Sequence, residues 1–274
     1  MDYWLYRLLF RVRPAFVSSW IKKVFRIGRQ PIETTSGVRL QIDPVSHFGR
    51  EIIKTGTYEP ELTSVFQAVL RPGDVFVDIG ANEGYFSILA SKTVGAAGRV
   101  LAIEPQSRLQ PVLKNNFAEN QSTVELVPMA LWDSVGQAAL NLASDINTGS
   151  TTLLSSKARF KKQELVRTTT LDALLASHGI SKIRLLKIDA EGAEFPILRG
   201  ADALFTQRRV DVLSLDFHPY HVAKDVPHQM DRWLRNRGYE LSQTAVGMWV
   251  YHLPEAVGAF ASLGPSKPIL RFGK

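Results

Sequence analysis

Val75-Phe76-Val77-Asp78-Ile79-Gly80-Ala81-Asn82-Glu83-Gly84-Tyr85-Phe86 sets an apolar strand, an acid, a glycine turn and a helix start in immediate succession. A short unbroken apolar run suits a strand buried on both faces of a parallel sheet. Glycines at 80 and 84 let the backbone come close to a ligand, and the next helix presents unpaired N–H groups. A dinucleotide fingerprint needs G-x-G-x-x-G to cradle a pyrophosphate. The spacing here is Gly80-x-x-x-Gly84, with Asp78 two residues earlier. An acid at that place repels a pyrophosphate and favours a cationic ligand. A plain βα turn could hold the same glycines, but the four coincident features favour a ligand site.

Outward from this run the chain alternates strand and helix. A helix over 60–70 precedes it, and Arg71-Pro72-Gly73-Asp74 turns into the strand. Beyond it the pattern predicts a helix at 84–92, strand 100–103, helix 106–119 and strand 124–127. Residues 134–170, rich in Ser, Thr, Asn and Lys, break the rhythm and read as a hairpin and loop over the site. A short helix at 170–178 follows, then strand 183–188, helix 194–204, strand 210–217 and helix 230–237 ending at Gly238. Residues 239–244 and 249–253 resemble a closing antiparallel hairpin. Residues 31–60 read as short strands and a lead-in, turning at Gly37. The expected division is a basic leader (1–30), the lead-in (31–70), a catalytic domain (71–255) and a tail (256–274).

Four more stretches carry chemistry at predicted strand tips, the edge where open α/β sheets bind ligands. Glu104-Pro105 stands 26 residues after Asp78 and can accept both vicinal hydroxyls of a ribose. Ala130, within Met129-Ala130-Leu131-Trp132-Asp133, leaves space for an adenine, although a loop around a buried Trp132 reads equally well. Asp189 and Glu191, within Leu186–Glu194, can meet an acceptor or the surroundings of a transferred group, while Glu194 suits a first helical turn. Such carboxylates could hold a divalent metal, but no histidine lies near in sequence, and the reading without a metal is preferred. Asp216 and His218 fall on one side of the last strand. His218 has the intrinsic pKa of a proton acceptor and Asp216 could orient it, against the plainer reading of a structural histidine.

Together these stretches resemble the FkbM family of methyltransferases. The matching segments are Gly56-Thr57-Tyr58-Glu59-Pro60-Glu61, the run from Asp78 to Phe86, Glu104-Pro105, the run from Leu186 to Glu194 with Leu198-Arg199-Gly200-Ala201, and Asp216-x-His218. Asn147-Thr148-Gly149-Ser150-Thr151-Thr152-Leu153 is similar to that family's Ser-rich loop. The resemblance spans about residues 38–253. It implies a Rossmann-like class I methyltransferase fold, with a seven-stranded, mostly parallel sheet and a C-terminal antiparallel hairpin. It also implies S-adenosylmethionine as donor and O-methylation of sugars, glycans or secondary metabolites. By that likeness Glu59, Asp78, Gly80, Asn82, Gly84, Phe86, Glu104, Pro105, Ala130 and Asp189 would serve the cofactor. His218, Asp216, Asp189 and Glu191 would serve catalysis. Asp216 departs from the glutamate expected at its place.

Composition narrows the alternatives. The 274 residues contain no cysteine, which excludes disulfides, thiolate zinc sites and thiol nucleophiles and suits a cytoplasmic setting. Of the formal charge of +7, residues 1–30 carry seven bases against Asp2 alone, leaving 26 bases and 25 acids elsewhere. A nearly neutral main domain gives little grip on nucleic acid. The leader sets Arg7, Arg11, Lys22, Arg26 and Arg29 near one helical face, with Pro14 as a break. It can lie on an anionic membrane at the inner face, or pack against the catalytic domain or a second subunit. It has neither a span-length apolar run nor a signal-peptide pattern. Against methyl transfer stand a nicotinamide-dependent oxidoreductase, which lacks its glycine spacing here, and a non-catalytic membrane-associated scaffold, which would not need Asp78, Glu104 and the glycines.

Overall fold

The computed structural model describes residues 24–25, 27–154, 162–218, 222–245 and 248–259. The leader through residue 23, Arg26 and the tail from residue 260 lie outside the described residues, and so does the expected membrane or packing role of that leader. No helix among the described residues is long and apolar enough to cross a membrane.

Strands β1 (Gln30–Glu33) and β2 (Arg39–Ile42) pair antiparallel around Gly37. Helix α1 (His47–Thr55) follows, where the sequence suggested an extended lead-in. Its N-cap is Ser46, whose hydroxyl accepts from the Gly49 N–H at 2.9 Å. Gly49 weakens the helical signal, yet a Cβ there would stand 2.1 Å from the Asp43 carbonyl oxygen. Close packing, invisible to local propensity, selects that glycine.

Helix α2 (Pro60–Val69) leads into β3 (Val75–Ile79), α3 (Tyr85–Val94), β4 (Arg99–Ile103), α4 (Gln110–Glu119) and β5 (Glu125–Val127). Next come β6 (Ala130–Leu131), β7 (Gly136–Leu142), β8 (Lys162–Thr169), α5 (Leu171–Ser177) and β9 (Ile183–Ile188). The chain continues through α6 (Glu194–Arg199), α7 (Asp202–Thr206), β10 (Val210–Asp216), α8 (Val226–Arg235), β11 (Glu240–Ala245) and β12 (Met248–His252). Seven strands form the main sheet in the order β11-β12-β10-β9-β3-β4-β5. All are parallel to one another except β12, which runs antiparallel to both neighbours. This is the seven-stranded, mostly parallel sheet with a C-terminal antiparallel hairpin that the resemblance implied. Successive side chains leave opposite faces, so Phe76 and Val77 enter two separate cores, as do Val212 and Leu213.

The expected continuous helix over 194–204 is instead α6 and α7. A Cβ on Gly200 would meet the Trp132 carbonyl oxygen at 2.2 Å, so the chain bends around that contact. The Asp172 carboxylate then accepts from the N–H groups of Ala203 and Leu204, at 2.9 and 3.0 Å, restarting the helix. Helix α8 begins four residues earlier than predicted, with Pro227 in its first turn.

Strand order reverses between β3 and β9. The chain travels from β3 out to β5, then crosses back to lay β9 on the other side of β3. Ligand crevices open at the carboxyl ends of strands at such a switch point. The antiparallel ribbon of β7 and β8, with β6 parallel beside β8, forms a small second sheet.

Candidate active site

The tips of β3, β4, β9 and β10 open into one cavity of about 230 Å³. Glu59, Gly80, Asn82, Glu104, Pro105, Ala130, Asp189, Glu191, Asp216 and His218 all line it. Three predicted residues do not: Asp78, Gly84 and Phe86. Asp78 was expected to hold a ligand's ammonium directly. Its carboxylate is buried, accepts from Ser87 Oγ at 2.7 Å and faces Lys187 Nζ at 3.3 Å. Gly84, at φ +88°, would press a Cβ to 2.8 Å from Phe117, so it serves helix packing. Phe86 is buried among Phe66, Tyr58 and Tyr85.

One end of the cavity is ordered by backbone donors. Glu104 is almost fully buried, and its oxygens accept from Asn82 N at 2.9 Å and Gln106 N at 3.0 Å. Burial pushes its pKa up to about 7, against the lowering pull of those hydrogen bonds. Gly80, at φ +77°, brings the turn so close to β9 that a Cβ would stand 1.9 Å from the Asp189 carbonyl oxygen. A loop roofs this end. Thr148 Oγ1 donates to Asn82 Oδ1 at 2.9 Å, and Gln106 Nε2 to the Thr148 carbonyl at 3.3 Å. Arg108 ties the same loop through the Ala143 carbonyl and Asp145.

The other end is crowded with charge. His218 Nδ1 lies 3.0 Å from Glu194 Oε1, while Nε2 faces Glu191 at 3.6 Å, Asp216 at 3.8 Å and Asp189 at 4.0 Å. Burial alone would lower the His218 pKa, but the Glu194 hydrogen bond and the charges of Asp189 and Glu191 raise it to about 10. His218 therefore carries its proton at neutral pH. Its expected part as proton acceptor is set against that pull of the surrounding carboxylates. Burial first, then neighbouring carboxylates, raise Glu59 to about 8, Glu191 to about 7 and Asp216 to about 6. Glu59, Asn82 and Glu191 also hold positive φ values of 43°, 50° and 48°. Non-glycine residues in that region carry strain, which concentrates at functional sites.

Sequence reasoning passed over Lys187. Its ammonium stands 3.3 Å from Asp78 and 3.5 Å from Asp189, and donates to the Gly80 carbonyl at 3.4 Å. Burial works against its charge, and Asp78, Asp189 and Glu59 outweigh that, holding its pKa above the usual lysine value. A lysine inside Leu185-Leu186-Lys187-Ile188 was the available signal, since a charge in a buried strand must be paired. Thr148 fell within the Ser-rich loop already singled out, whereas Gln106 carried no comparable mark. The structure also removes the ground for setting a metal aside, because His218 joins Asp189 and Asp216 with one donor atom from each within 4.8 Å of the others.

The Methyltransferase FkbM domain family matches residues 78–241. The chain belongs to the FkbM methyltransferase family. Among curated relatives, Methyltransferase sdnD of Sordaria araneosa is 24% identical over 205 residues, covering 64% of this chain and 77% of sdnD. AMB antimetabolite synthetase AmbE of Pseudomonas aeruginosa is 25% identical over 209 residues, again 64% of this chain but 10% of that far longer protein. Two solved structures are fibrillarin of Aeropyrum pernix with natively bound S-adenosyl-L-methionine and a SAM dependent methyltransferase of Aquifex aeolicus. Each is 12% identical over 70% of this chain, covering 74% and 88% of theirs, with TM-scores of 0.40 and 0.39. At those scores the fold rests on the strand order itself. S-adenosylmethionine is the methyl donor of this FkbM methyltransferase, and the cavity fits it. The fit lies in a buried carboxylate at the β4 tip, a turn without a side chain at Gly80, and further carboxylates in the same lining.

Proposed function

We propose that this FkbM methyltransferase methylates a hydroxyl oxygen of a sugar, glycan or secondary metabolite. Glu104 carries the reading. A buried carboxylate whose oxygens are aimed by two backbone donors, in one cavity with Asp189, Glu191, Asp216 and His218, is built to hold ribose hydroxyls beside an acceptor. Gly80, Asn82, Pro105 and Ala130 shape the donor's seat, and Glu59 lines the same cavity. When bound, the donor would supply a methyl carbon activated by positive sulfur, open to displacement by the acceptor oxygen with the thioether as leaving group.

What remains for the protein is alignment and one proton. Glu191 takes the hydroxyl proton, because its pKa of about 7 matches neutral conditions while His218 is already protonated. His218, anchored by Glu194, holds Glu191 and Asp216 near each other and steadies the charge that forms. Asp216 contacts the acceptor.

The test has two parts. Calorimetry with S-adenosylmethionine should show saturable binding; its absence would return the non-catalytic scaffold reading. Labelled methyl transfer onto sugar nucleotides, lipid-linked glycans and cell-envelope extracts should then yield a product whose label sits on oxygen. Label on nitrogen or carbon alone would overturn the assignment.

A further inference from the structure

The carboxylates around His218 pose a physical problem that its own proton solves only in part. Glu59, Asp189, Glu191, Glu194 and Asp216 converge on a region served by two cations, Lys187 and His218. Lys187 is shared between Asp78, at 3.3 Å, and Asp189, at 3.5 Å.

We propose that Asp189, Asp216 and His218 form a binding site for a divalent cation of the magnesium or manganese kind. One donor atom from each residue lies within 4.8 Å of the other two. His218 Nε2 stands 3.8 Å from Asp216 Oδ2 and 4.0 Å from Asp189 Oδ1, too far for direct hydrogen bonds. An octahedral ion with bonds of about 2.1 Å separates adjacent ligands by about 3 Å and opposite ones by about 4.2 Å. The two gaps from His218 fall between those limits, so an ion would be seated by the side chains drawing together.

A second observation points the same way. A metal-bound histidine characteristically gives its other ring N–H to a carboxylate or carbonyl, which fixes the ring. Glu194 occupies that place. It is fully buried, its Oε1 lies 3.0 Å from His218 Nδ1 and also accepts from Gly192 N. Its Oε2 has no hydrogen-bond partner among the described residues. A carboxylate withdrawn from water and turned to the back of an imidazole directs Nε2 toward the cavity, where a bound ion would take the place of its proton, since only the free nitrogen lone pair ligates a metal. Mixed carboxylate and imidazole donors that leave positions open suit a hard cation that also takes water or a substrate oxygen. There the ion would draw electron density from the acceptor hydroxyl, easing loss of its proton. That role rests on the methyl-transfer reading above; the binding itself does not.

The test is a Mn2+ titration of the full chain after EDTA treatment and dialysis, reading free Mn2+ by electron paramagnetic resonance. One saturable site per chain is expected. Asp216→Asn and His218→Gln should each weaken it by about tenfold or more, while Asp225→Asn, on the surface, should leave it unchanged. Asp216 is partly exposed, so its substitution does not put folding at stake. Absence of a saturable site overturns the proposal, as does a site indifferent to Asp216→Asn. Mn2+ binding without methyl transfer leaves the metal site standing and removes the reaction assigned to it. Full turnover in EDTA with no Mn2+ site keeps the reaction and removes the metal.

Discussion

The two ends of the cavity solve opposite electrostatic problems with the same residue type. At the β3 and β4 tips, one carboxylate, Glu104, is buried and met by neutral backbone donors from Asn82 and Gln106. At the β9 and β10 tips, several carboxylates face one another and share Lys187 and His218. The first end is organised before any ligand arrives, because its donors belong to the backbone and cannot move away. The second is held by opposed charges, so the arrival of a cation changes its energy most. A neutral ribose suits the first end. The positive donor and the reacting oxygen suit the second.

Substitutions can break that contrast. The largest effect expected is from Glu191→Gln, which removes the proton acceptor while keeping shape. Turnover should fall by about 10²–10⁴-fold with cofactor affinity nearly unchanged, read by steady-state kinetics beside calorimetry. A rate within a few-fold of the parent would move the proton to another group. Lys187→Met strikes the seam between the ends, leaving Asp78 buried without its cation. Loss of about 3–5 kcal/mol of stability is expected, measured by urea unfolding. Little change would mean that Ser87 alone satisfies Asp78.

Glu104→Ala should be milder and confined to the ordered end. Losing hydrogen bonds to a charged group costs about 1.5–3 kcal/mol, so S-adenosylmethionine should bind roughly ten- to a hundredfold more weakly. The smallest expected effect is of pH. The Glu104 pKa rises from 4.5 to about 7 on folding, so folding favours its protonated form. The stability it contributes is fully present below 4.5 and is lost as pH rises through about 7. Ribose hydroxyls donate best to the ionised carboxylate, so cofactor affinity should rise over the same interval. Melting temperatures with and without S-adenosylmethionine, at pH values on either side of 7, should therefore diverge as pH increases. Parallel curves would place the ribose away from Glu104.

Much of the scaffold could be read directly. Strands at 75–79 and 183–188, and the helix at 171–177 between Thr170 and His178, have apolar patterns and caps that depend on neighbours in sequence. Helix α1 and the break at Gly200 could not, because their cause is a carbonyl from a distant segment pressed against a glycine. Of the predicted site residues, those at strand tips entered the cavity because parallel strands end on a common edge. Asp78 sits one residue inside that edge. Its side chain is captured by Lys187, its direct neighbour across β3 and β9.

By itself, then, the order of residues determined the sheet and the edge on which chemistry would gather. These follow from periodicity and turn chemistry, which act over a few residues. Protonation was decided in three dimensions. Whether His218 gives or takes a proton depends on Glu194, Glu191 and Asp189, which reach it from the loop and first helical turn after β9. Charge interactions depend on distance through space and on exclusion of water, and neither is defined until the chain has folded.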